Sequence, residues 1–163
     1  MRHRLVLLAI AGLALSACTA QAEPLPAAMT APPPATTSTT TTTPAPEPPP
    51  CEPRSRACVR LSTKQAWLVT NGVTDLGPVP ISHGGVAHPT PTGTYPVAWK
   101  DAEHTSSSYG DSMPFSVFFA PGGIAFHQGD LATDSHGCVR LDLASAQVFF
   151  ANLNAGDLVE VLP

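Results

Sequence analysis

Of 163 residues, 43% are hydrophobic and only 12% charged, and most of the 19 prolines crowd, with the threonines, into the first third of the chain. That third cannot build a core, which leaves room for one packed domain of about 110 residues, enough to stand without metals or many disulfides. The net charge is −4, with eight basic residues, two of them among the first four positions. No basic face remains for a phosphate backbone, so nucleic-acid binding is excluded.

Arg2, His3 and Arg4 precede an apolar run from Leu5 to Leu15, which closes on Leu15-Ser16-Ala17-Cys18. The run falls short of the roughly 20 apolar residues a membrane-spanning helix needs, so residues 1–17 read as a secretory signal. Leu-Ser-Ala-Cys resembles the lipobox of bacterial lipoproteins, which implies cleavage before Cys18 and diacylation of its thiol. An ordinary signal cleaved after Ala20 or Ala22 is the alternative. Beyond Cys18, residues up to Pro50 are mainly Pro, Ala, Thr and Glu without an apolar periodicity. Such a segment cannot offset its ordering entropy and reads as a disordered tether, reaching on the order of 100 Å if fully polyproline-like. Residues 18–50 would then hold the following domain to the outer face of a plasma membrane, within reach of the overlying cell wall.

The domain is expected over 51–163. Cys51 and Cys58 open it, and in an oxidising compartment a disulfide is the expected pairing, with two free thiols as the alternative. Cys58 to Leu61, Gln65 to Thr70 and Val73 to Ile81 read as strands, the last two joined by the hairpin signal Asn71-Gly72. Further strands are expected at Tyr95 to Trp99, Phe115 to Phe119, Ile124 to His127 and Leu158 to Leu162. One helix is predicted from an Asp142 N-cap to Asn154, with Leu143, Ala146, Phe149, Phe150 and Leu153 on its apolar face and Gly156 after its end. The fold class is therefore mainly β, a sandwich or barrel with one packed helix after the last cysteine.

Chemistry concentrates in Ile124-Ala125-Phe126-His127 and in Ser135-His136-Gly137-Cys138-Val139-Arg140-Leu141. A cysteine becomes a good nucleophile when an imidazole within reach takes its proton and a third group orients that imidazole. Gly137 allows close backbone approach, and N–H groups near the turn could hold an oxyanion. A buried, inert Cys138 is one alternative. A zinc site using His127, His136 and Cys138 is another, although it lacks a clear fourth ligand. The local sequence alone does not choose between the two histidines.

These segments together resemble the L,D-transpeptidase (YkuD-type) catalytic domain of bacterial cell-wall enzymes. Ser-His-Gly-Cys-Val-Arg-Leu after Gly-Gly-Ile-Ala-Phe-His carries the resemblance. Leu61 to Val69, Thr90-Pro91-Thr92-Gly93-Thr94-Tyr95 and Met113-Pro114-Phe115 extend it in the same order, over roughly Cys58 to Pro163. The resemblance implies that Cys138 is the nucleophile and His127 its general base, oriented by a backbone carbonyl one or two residues on. It further implies that His136 shapes the acyl-enzyme pocket, that Ser135 and Arg140 contact substrate, and that Gly137 and Cys138 supply oxyanion N–H groups. Tyr109 is expected as a lid. The loop between His127 and Ser135 is shorter than in most relatives, which could open the acceptor side.

The expected activity is peptidoglycan transpeptidation, with Cys138 forming a thioester with a tetrapeptide stem and a second stem resolving it into a 3→3 cross-link. No cofactor and no metal are required. The expected partners are donor and acceptor stem peptides and, through the lipid, the membrane, with the chain acting as a monomer. Trimming by water at the same site is one rival. A non-catalytic wall-binding lipoprotein is the other.

Overall fold

The computed structural model describes residues 48–163. The signal, Cys18 and nearly all of the tether lie outside the described residues. Strands β1 (Ala57–Arg60), β2 (Gln65–Thr70) and β3 (Val73–Pro80) form an antiparallel meander. Asn71 and Gly72 both take left-handed φ values, 51° and 79°, the geometry that lets a two-residue turn match the twist of its flanking strands. The chain then runs through β4 (Gly93–Pro96), β5 (Trp99–Thr105), β6 (Ser112–Ala120), β7 (Ile124–Gln128) and β8 (Val139–Leu141). Helix α1 (Leu143–Asn152) and β9 (Leu158–Leu162) complete it.

Two sheets result. The first has the order β3-β2-β1-β9-β4, with β1 parallel to β9. The second has the order β5-β6-β7-β8, with β7 parallel to β8 and α1 packed on β6, β7 and β8. Val59 and Leu68 from one sheet, Val117 and Phe126 from the other and Phe149 and Leu153 at the helix share one buried core. The Phe126 and Phe149 rings lie 5.0 Å apart, and complete burial of each stabilises the fold by about 1.5–3 kcal/mol.

The stretch Tyr95 to Trp99, expected as one strand, is split between the sheets. Val97, almost wholly buried, donates its N–H to Asp157 and accepts from Gly156 at its carbonyl, each at 2.8 Å. These long-range bonds hold the crossing where the chain leaves β4 for β5. Strand β8, Val139–Leu141, has no counterpart among the expected strands.

The helix is shorter than its apolar pattern predicts. Asp142 caps it through Ser145, accepting the backbone N–H at 3.0 Å and the hydroxyl at 2.7 Å. Leu153 is already extended at the other end. There Lys100 Nζ donates to the carbonyls of Phe150 and Leu153, taking up groups that a helix end leaves unpaired. The buried positions are Ser145, Ala146, Phe149 and Leu153, and Leu143 is 53% exposed. At 100° per residue Leu143 lies roughly 100° from the centre of that buried arc, so its place on the apolar face is not realised. Ser145 takes an inward position instead, its hydroxyl bonded to Asp142.

Cys51 and Cys58 are bonded to each other, closing a ring just before and into β1. Glu160 on β9 secures the same corner, accepting the Glu52 N–H and the Ser55 hydroxyl, each at 2.8 Å.

Candidate active site

Strand alternation places the reactive residues. In the β7–β8 pair, Phe126 lies opposite Val139 and His127 opposite Arg140. Phe126 and Val139 are wholly buried in the core, so His127 and Arg140, with Cys138 just before β8, face the other side of the sheet. There they line a cavity of about 550 Å³, together with Ser135, His136 and Tyr109.

His127 is 6% exposed, and its Nδ1 lies 2.8 Å from the Gln128 carbonyl. A carbonyl oxygen only accepts, so Nδ1 carries the proton of the neutral ring and Nε2 keeps a free lone pair. Burial is the largest influence on this imidazole and holds its pKa below the ordinary 6.5. The Gln128 carbonyl and Asp111 oppose that shift, while Arg140 and His104 reinforce it.

Cys138 is the free cysteine of the described residues. Burial raises its thiol above the ordinary 9.0, against smaller lowering effects from the Ala125 N–H and Arg140. Its S–H is directed at the Gly123 carbonyl, 3.7 Å away. Both shifts, driven by burial, favour the uncharged thiol and the uncharged imidazole over an ion pair.

The Ser135–Cys138 loop is tied from within. Ser135 Oγ donates to the Cys138 carbonyl at 2.5 Å and accepts the Gly137 N–H at 3.0 Å. The Gly137 N–H, expected as an oxyanion donor, is therefore already engaged. Ser135, expected as a substrate contact, is 5% exposed and spends its hydroxyl on the loop. Gly137 has φ +115°, a left-handed backbone that a larger residue would strain.

Arg140 braces the preceding loop, donating to Thr133 and to the Asp134 carbonyl over 3.2–3.4 Å. The exposed His136 ring stacks on Tyr109 with centroids 4.1 Å apart and meets the edge of His88 at 5.0 Å. Among the described residues no group of three His, Cys, Asp or Glu side chains could hold a metal ion. The zinc alternative built on His127, His136 and Cys138 thus has no ligand cluster.

Sequence reasoning did not single out Thr90 or Gly84 as supports. Buried Thr90 donates its hydroxyl to the Gly137 carbonyl at 2.7 Å and accepts the Gly84 N–H at 2.9 Å. A Cβ on Gly84 would come within 2.0 Å of the His88 carbonyl. Thr90 stood in a quoted motif, but its partner lies 47 residues away, and no local pattern carries that pairing. Asp111 also lines the cavity, and no motif in the sequence marks it out.

The fold and cavity together define a two-sheet β domain built around a cysteine and an Nδ1-anchored histidine. The chain belongs to the YkuD family, the L,D-transpeptidase catalytic domain, whose model matches residues 54–161. Among solved structures it is similar to an L,D-transpeptidase from Stackebrandtia nassauensis, at 26% identity and TM-score 0.62, with 66% of this chain and 54% of that one covered. An L,D-transpeptidase from Mycobacterium smegmatis aligns at 21% identity and TM-score 0.62, covering 66% and 58%. L,D-transpeptidase 3 from Mycobacterium tuberculosis, in complex with a faropenem-derived adduct, aligns at 24% identity and TM-score 0.59, covering 66% and 59%. The chain thus spans little more than half the length of these relatives. No curated protein matches it.

Proposed function

We propose that the protein is a peptidoglycan L,D-transpeptidase working through a thioester on Cys138. One observation carries this reading: a free thiol shares a cavity with a neutral imidazole whose Nδ1 is held by the Gln128 carbonyl, leaving Nε2 to act as a base.

His127 Nε2 takes the proton of the Cys138 thiol as Sγ bonds to the carbonyl carbon at the L-centre of diaminopimelate in a tetrapeptide stem. The carbonyl electrons move onto oxygen, and the Cys138 N–H is the donor left to meet them, since Gly137 has given its own to Ser135. Collapse breaks the bond to the terminal D-alanine, whose amine receives the proton from His127. The amine of a second stem then attacks the thioester, an amide forms, and the C–S bond breaks to restore the thiol as a 3→3 cross-link is completed. Starting from a neutral pair, His127 must act as a true base in the first step rather than serve as counter-ion to a standing thiolate. Tyr109, stacked on His136, serves as cover to the cavity, and Arg140 gives it positive charge.

Export and a lipid on Cys18 would place this activity on the outer face of the plasma membrane, with the tether supplying the reach to the wall.

The test is intact-mass analysis of the full chain with a tetrapeptide donor, and separately with faropenem, which left an adduct in the Mycobacterium tuberculosis relative. The expected result with the donor is a gain equal to the peptide less D-alanine, mapped to Cys138. A Cys138 thiol that stays unmodified by both reagents overturns the reading.

A further inference from the structure

The thioester must be resolved by an amine, yet an alkylamine reaches the site almost entirely as its ammonium, competing with water. A site that favours the amine needs acceptors for that cation. Two carboxylates line the cavity, Asp111 and Asp130. Asp130 is already committed, accepting the Ala132 N–H and the Thr133 hydroxyl, each at 2.9 Å. Asp111 has neither an ion pair nor a side-chain hydrogen bond among the described residues. It sits in the β5–β6 connection, exposed, and it is close enough to His127 for its charge to act on that ring.

The same connection brings Ser107 and Ser108 to the cavity, and the first residue of β6 adds Ser112. An ammonium has three N–H donors and, once out of water, needs three acceptors. One carboxylate with neighbouring hydroxyls meets that need with a single compensating charge. On β8, Arg140 brings the opposite sign to the same cavity, where its charge acts on Asp130.

We propose that Asp111, with the hydroxyls of Ser107, Ser108 and Ser112, forms an ammonium subsite that receives the acceptor's amine and favours aminolysis of the thioester over hydrolysis. This rests on the thioester reading above. In the step it serves, a C–N bond forms as the C–S bond breaks. Of the two protons the ammonium sheds, His127 carries one to the departing Cys138 sulfur and the other goes to solvent.

The experiment measures product partition after the full chain has been acylated by the tetrapeptide donor. Nα-acetyl-lysine amide supplies a charged amine, and hydroxylamine, uncharged at neutral pH, supplies a neutral one. Asp111→Asn should lower the lysine-adduct to hydrolysis ratio about tenfold, the scale of one partly exposed charge-assisted hydrogen bond. The hydroxylamine ratio should not fall, and Asp111→Glu should recover the lysine ratio to within about threefold of the parent. An equal fall for both nucleophiles would make Asp111 a structural residue and overturn the subsite, as would an unchanged lysine ratio. If the parent chain forms no thioester, the function reading itself has failed, an outcome the acylation step reports before any acceptor is added.

Discussion

The two sheets treat the same chemistry in opposite ways. In the first, sulfur is spent on a crosslink: Cys58 is wholly buried beside Trp67 and Val69 and bonded to Cys51. In the second, Cys138 keeps its thiol at the wall of a cavity that His127, with its free Nε2 lone pair, also lines. The carboxylates divide similarly. Glu160 on β9 accepts from Glu52 and Ser55, whereas Asp111 beside the cavity has no side-chain partner among the described residues. The first half of the domain spends these sulfur and carboxylate groups on holding its shape, and the second turns them toward a cavity that a substrate can enter.

The sharpest way to test this division is Cys138→Ala, which should remove the thioester completely while leaving the fold intact, as read by intact mass and circular dichroism. Next in size, His127→Ala should slow single-turnover acylation by about 10² to 10⁴, the usual contribution of a positioned base. The parent enzyme should hold its acylation rate as pH drops below 6.5, because burial keeps the folded-state pKa of His127 under that value. The same shift links to stability: the unfolded ring binds a proton more readily, so this contribution is full above pH 6.5 and is lost as pH falls through and below it. A pH–rate profile together with urea melts across that range checks both signs.

In the other sheet the effects should be confined to stability. Removing the Cys51–Cys58 bond by a double change to Ala should cost about 2.5 kcal/mol in the chain-entropy model, with the acylation rate of the folded fraction unchanged. Thiol titration of the native parent should find Cys138 as the reactive group of the domain. Any large loss of acylation in the double variant would break the separation of the two sheets. The smallest effect is expected at the helix packed on the second sheet, where Asp142→Ala should cost about 1 kcal/mol from the lost N-cap, measured by chemical denaturation.

Where pairing is local, the sequence was readable. Gln65–Thr70 and Val73–Pro80 flank an Asn-Gly turn whose two positive φ values follow from those residue types. Strand β8 is only three residues long, too short for alternation to register, and it is held by a parallel partner across a loop. The break at Val97 depends on carbonyl and amide partners from residues 156–157, and nothing near Val97 announces them. At the site, Cys138 and His127 stood out because the motif concentrates reactive side chains. What the sequence could not express is which donors are already taken. Ser135 and Gly137 both looked available to a substrate, and they turn out to be bonded to each other.

The corner at Cys51 also has a mechanical side. Strand β1 lies between β2 and β9, and its hydrogen bonds to both run across the direction of the chain. A pull arriving along the chain from its N-terminal side would therefore load those bonds in shear, many at once, instead of unzipping them one by one. The Cys51–Cys58 ring and the Glu160 carboxylate stand ahead of β1 on that line of force. The load would enter at the central strand of the first sheet, whereas the cavity residues His127, Cys138 and Arg140 belong to the second.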